Sequence, residues 1–130
     1  MINVRVYKQS SYPVSTPKIK RALKSFLKKK GIVSDTEVSV AIVGDAKMED
    51  LGKKYLKESG KAAHNVLTFT ASEASGNFEE PPDNTIRLGE IVLCFPMIKN
   101  EAKEQDKLID ERAIELAEHG AEHLLGIHHD

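Results

Sequence analysis

The chain has 130 residues, enough for one domain with a single core. Hydrophobic residues make up 40%, no apolar run approaches a membrane span, and the N-terminus lacks the apolar core of a signal peptide; a cytoplasmic protein with no membrane partner is expected. The net charge of -1 conceals 14 Lys and Arg against 6 Asp and Glu in residues 1–65, then 5 against 14 in residues 66–130; the basic half suits a polyanion such as RNA, although two oppositely charged solvated faces would read the same way.

Ile2, Val4 and Val6 alternate with polar residues, which predicts a strand with one buried face. A loop with Pro13 follows, from Ser10 to Thr16. Thr16 suits a helix N-cap and Pro17 a first helical position. Ile19, Ala22, Leu23, Phe26 and Leu27 then recur at the helical period, with Lys18, Lys20, Arg21, Lys24, Lys28, Lys29 and Lys30 opposite, until Gly31 ends the helix. The last lysines also favour the helix dipole, a structural reason for basic residues there. Val38, Val40 and Ile42 alternate as a second strand. Gly44-Asp45 predicts a turn and N-cap. Met48, Leu51, Gly52 and Tyr55 share one face of a second helix, with Lys47, Lys53, Lys54 and Lys57 on the other and Gly60 as its breaker.

Val66 to Phe69 predicts a short strand, and Ala71 to Thr85, rich in Ser, Glu, Gly, Pro and Asn, a long loop. Ile86 to Cys94 is the most apolar strand and is expected at the centre of the sheet. Cys94 is the single cysteine, so no internal disulfide forms; in an apolar run it reads as a buried thiol rather than a ligand. Pro96 opens a helix to about Gln105, and the last helix runs from about Lys107 to Leu125. The order β-α-β-α-β-β-α-α predicts an α+β fold with a small mixed sheet.

Four of the five histidines fall in the last twelve residues. His119 and His123 are four apart, one turn on the same helix face, which is the reach two imidazoles need to hold one metal ion. Gly126 provides a stop in the left-handed conformation, after which His128 or His129 can return as a third ligand. Three histidines would leave a position open for water, the arrangement of a catalytic site. A solvated terminus or an expression scar is the bland alternative, but the histidines are interleaved with Leu and Gly at helical spacing. On a helical wheel Ile109, Ala113, Leu116, Ala117, Gly120 and Leu124 form the buried stripe, and His119 and His123 lie together along its edge, where packing can hold the rings while water reaches the metal.

His119-Gly120, His123-Leu124, Gly126 and His129 match in order the H-G-x-x-H-x-x-G-x-x-H signature of the YbeY family of metal-dependent endoribonucleases of bacterial ribosomal-RNA maturation. Asn65-Val66-Leu67-Thr68-Phe69 resembles that family's N-V-L-S-F segment, and Leu88-Gly89-Glu90-Ile91-Val92 its L-G-D-I-V strand. The resemblance implies a four-stranded mixed sheet flanked by helices, with the metal on the late helix and following turn. It implies one ion, expected to be Zn²⁺, held by His119, His123 and His129, which act catalytically through that metal. It further implies single-stranded RNA, ribosomal in origin, as substrate, a role in ribosome quality control, and a ribosomal subunit or ribosome-associated protein as partner.

The chain departs from the family pattern at several positions. His128 stands where the family has Asp, and is the alternative third ligand. The segment from Tyr55 to His64 is two residues longer and lacks the family's arginine; Lys57 and Lys61 are its possible substitutes, without arginine's planar fork, and His64 replaces a threonine. The sequence stops at Asp130, so a terminal carboxylate is expected beside the third ligand as a competitor for the ion. Two other functions remain open at this point. One is an RNA- or ribosome-binding protein whose metal is only structural. The other is a metallopeptidase, because His119-x-x-Glu122-His123 also fits H-x-x-E-H with Glu122 as general base, although the wheel turns Glu122 toward solvent and away from His123.

Overall fold

The alternation in Ile2, Val4 and Val6 becomes β1 (Ile2–Lys8), and that of Val38, Val40 and Ile42 becomes β2 (Thr36–Val43). The computed structural model describes residues 1–56, 64–74 and 85–126. The remaining strands are β3 (Val66–Thr70) and β4 (Ile86–Cys94), in the order β1-β2-β4-β3. β1, β2 and β4 run parallel, and β3 pairs antiparallel with β4. The sheet is therefore mixed and four-stranded, and the apolar strand β4 lies in its interior as expected.

Strand alternation sorts side chains onto two faces. Val4, Val38, Val40, Ile91 and Leu93 point to one, where α1 (Thr16–Lys29) covers them with Ile19, Leu23 and Leu27, and α5 (Ile109–Leu124) with Ala113, Leu116, Ala117 and Ala121. Ala41, Val43, Leu67, Phe69 and Val92 point to the other, where Met48 of α2 (Asp45–Leu56) packs on them. The short helix α3 (Ala71–Ala74) follows β3, and α4 (Phe95–Glu104) follows β4 directly, sending Phe95 and Ile98 into the first cluster.

Chain geometry matches the expectations closely, with differences at the helix ends. Gly31 terminates α1 at φ 89, and Ile32 N–H returns to Leu27 O at 3.1 Å. The α1 cap is Ser15 rather than Thr16: its hydroxyl accepts from Lys18 N–H at 3.3 Å, and Thr16 is already helical. Asp45 is likewise inside α2 rather than its cap, and its Oδ1 accepts the Cys94 thiol at 3.2 Å. The last helix starts at Ile109, not 107, because Asp106 adopts φ 56 and Lys107 N–H closes the end of α4 on Ala102 O at 2.9 Å. Within the segment expected to be a loop, Ala71–Ala74 is helical. Thr70 Oγ1 accepts from Glu73 N–H at 3.4 Å while Glu73 Oε1 accepts from Thr70 N–H at 3.0 Å, a reciprocal capping box that starts the turn. The Thr70 N–H also holds the Glu73 carboxyl below its usual range.

Candidate metal centre

Gly120 fixes where the two histidines stand. A Cβ there would lie 2.9 Å from Ile91 Cγ2 and 3.1 Å from Thr68 Cγ2, so the absence of a side chain lets α5 settle on β4 and β3 at this turn. Gly120 is fully covered, whereas its neighbour His119, and His123 one turn on, are exposed. The buried stripe agrees with the wheel at Ala113, Leu116, Ala117 and Gly120. Leu124 and Ile109 are only half-buried, and Ala121 is buried in addition.

The His119 and His123 rings stand edge to face, their centroids 4.7 Å apart at 86°. Their Nε2 atoms are 3.2 Å apart. Two nitrogens bound to one tetrahedral zinc at 2.0–2.1 Å are separated by about 3.3 Å, so the ring positions fit a shared ion with little movement. Without an ion the same contact is an N–H···N hydrogen bond with one ring as donor. Gly126 ends the helix at φ 78, its N–H bonded to His123 O at 3.0 Å, as the sequence predicts. His128, His129, Asp130, Lys57 and Lys61 lie outside the described residues. Among the described residues no group of three His, Cys, Asp or Glu is placed to hold an ion.

Glu122 is half-buried rather than solvent-facing. It lies one turn from Glu118, whose carboxyl is raised chiefly by burial, against the pull of Lys29 of α1 and with a smaller push from the Glu122 charge. Cys94 is buried, and burial pushes its thiol up to about 11, the behaviour of a thiol packed in the core.

The helix that carries the histidines is also tied down at its other end, by Arg112. Arg112 precedes His119 by seven residues and His123 by eleven, which at 100° per residue places each histidine within about 20° of Arg112, one on either side, along one edge of α5. Its Nε and Nη2 both donate to Glu101 Oε1 of α4 at 2.9 Å. Glu101 in turn accepts from Asn65 Nδ2 at 3.2–3.3 Å, and Asn65 O receives Cys94 N–H at 2.9 Å. This half-buried chain ties the histidine helix to α4 and to the start of β3. A lone arginine on a helix edge was the signal, but its partners lie on other elements and leave no local pattern.

A family model described as Endoribonuclease YbeY matches residues 6–130. The chain belongs to the YbeY family. A relative named Endoribonuclease YbeY from Dehalococcoides mccartyi is 30% identical over 135 residues, covering 98% of this chain and 77% of the relative. One of the same name from Alteromonas mediterranea is 36% identical over 104 residues, covering 79% of this chain and 60% of that protein. Several such relatives extend well beyond the span matched here. The solution structure of TM1509 from Thermotoga maritima shares the fold, with a TM-score of 0.60 at 23% identity over all of this chain and 75% of that one. Among the described residues no helix is long and apolar enough to cross a membrane.

Proposed function

We propose that this YbeY-family chain is a metal-dependent, single-strand-specific endoribonuclease, a hydrolase of RNA phosphodiester bonds that acts in ribosomal-RNA processing and ribosome quality control in the cytoplasm. Residues 1–130 act as one domain in this reading. The observation that carries it is the His119–His123 pair, with Nε2 atoms 3.2 Å apart on an exposed edge of α5, in a chain whose family is named for endoribonuclease activity. His119, His123 and His129 bind one ion, taken to be Zn²⁺, as neutral imidazoles, with His128 as the alternative third ligand. When bound, such an ion supplies Lewis acidity toward a phosphoryl oxygen and an acidified water. Gly120 seats the helix, and the Arg112–Glu101–Asn65 chain holds its edge in register with β3. Lys57 and Lys61 take the place of the family arginine toward phosphate, and the basic first half of the chain holds the RNA backbone. A ribosomal subunit or ribosome-associated protein presents the substrate.

The test is metal content and single-stranded RNA cleavage, measured side by side on untagged protein and on His123→Ala. One metal per chain, with both metal and cleavage lost in the variant, is the expected result. Metal without cleavage in either protein would favour a binding role with a structural ion. Undiminished cleavage by metal-free protein would refute the proposal.

A further inference from the structure

The face of the sheet opposite α5 carries a cavity whose lining, among the described residues, includes neither His119 nor His123. It has a volume of about 320 Å³ and is lined in part by Tyr7, Lys47, Tyr55, Phe69, Glu90 and Ala41. That size is at the lower end of small-molecule pockets. Its origin lies in the register. Tyr7 of β1 stands opposite Ala41 of β2, which stands opposite Val92 of β4; in the next row Ser39 stands opposite Glu90, and Glu90 opposite Phe69 of β3. Ala41 and Ser39 are small, so β2 forms a low floor between tall neighbours. Tyr7 leans across that floor, and its hydroxyl donates to Glu90 Oε1 at 3.0 Å. On the other side the Tyr55 and Phe69 rings meet at 4.8 Å.

We propose that this cavity is a base-binding subsite that takes a guanine, stacked against the aromatic walls and read by Glu90. A carboxylate only accepts hydrogen bonds, and among the described residues no donor is paired with Glu90 Oε2. Guanine presents two adjacent donors, N1–H and the N2 amine, on its Watson–Crick edge. Adenine and cytosine place an acceptor beside their amine, and uracil places its single N–H between two carbonyls; each sets a lone pair against the carboxylate. Single-stranded RNA is commonly read by stacking splayed bases on Tyr and Phe while polar groups bind the Watson–Crick edge. Lys47 at the rim supplies positive charge for the attached phosphate. Tyr7 is suited to holding Glu90 in place, since its hydroxyl stays protonated: burial and the Glu90 charge push it up to about 12.

That the base belongs to an RNA substrate rests on the nuclease reading above; the binding itself does not. The experiment is therefore a titration of the full chain with guanosine 5′-monophosphate and, separately, the adenosine, cytidine and uridine monophosphates, followed by aromatic NMR. Tyr7, Tyr55 and Phe69 resonances are expected to move with the guanine nucleotide at concentrations roughly tenfold or more below those the others require. Glu90→Gln is expected to erase that preference while its spectrum remains that of a folded protein. Tyr55→Ala, a change at a partly exposed position, is expected to weaken all four nucleotides alike. His123→Ala is expected to leave the preference intact, so a cleavage-dead protein that still selects guanine would separate this site from the nuclease reading. Equal response to all four nucleotides, no response, or a preference that survives Glu90→Gln would overturn the proposal.

Discussion

Replacing Gly120 by Ala sets two effects of known sign against each other. Alanine is the better helix former by about 0.8–1 kcal/mol in a helix interior. The new methyl, however, would lie 2.9 Å from Ile91 Cγ2 and 3.1 Å from Thr68 Cγ2. Ile91 is completely buried in the interior strand, and a β-branched side chain has little freedom to turn away. Relief must come from moving α5 off the sheet, and overpacking of this kind costs about 1–3 kcal/mol. The packing term is the larger, so Gly120→Ala should be destabilised by about 1 kcal/mol net. For a chain of this size that lowers the melting temperature by about 3–5 °C. The shift should also reach the adjacent histidines and lower metal affinity. Urea titration at constant m-value, paired with metal binding by calorimetry, measures both. A variant as stable as wild type would mean that helix propensity wins, and that the close seating of α5 on β3 and β4 does not govern this position.

The Arg112–Glu101–Asn65 chain predicts coupling. Glu101→Ala should cost about 1–3 kcal/mol by removing the acceptor shared by Arg112 Nε and Asn65 Nδ2, although Arg112 Nη1 keeps Glu115 at 3.6 Å, and a double-mutant cycle with Arg112→Ala should be clearly non-additive; additive losses would reduce the chain to a surface contact. Cys94 should resist a thiol reagent at pH 8 in the native protein and react fully in denaturant, since its thiol is buried and pushed up to about 11; rapid native modification would contradict that placement. Tyr7 ionises in the unfolded chain near 10 and in the folded one near 12. Its contribution is therefore complete below pH 10 and disappears as pH rises toward 12, and Tyr7→Phe should flatten the alkaline limb of a stability–pH curve. An unchanged limb would show that the Tyr7–Glu90 contact does not persist in solution.

What could be read from the sequence was local. The i, i+4 spacing of His119 and His123 is a property of one helix, so their meeting follows once that helix forms. The same holds for the glycine stops at Gly31 and Gly126, for the strands, and for the buried thiol. The capping box at Thr70 and Glu73 was equally local, a T-x-x-E pattern that the surrounding Ser, Gly and Pro masked.

Tertiary structure alone decided the rest. The strand order β1-β2-β4-β3 results from pairing between segments distant in the chain, which no window of residues encodes. That pairing sets Tyr7 beside Glu90 across 83 residues, while the packing of α5 on α4 sets Arg112 beside Glu101, which also takes Asn65. It also gave Gly120 its role, because the atoms that exclude a side chain there belong to β3 and β4. Periodicity specifies which face of an element is apolar; only the packed chain specifies what that face meets, since burial is non-directional and the choice of neighbour rests on fit.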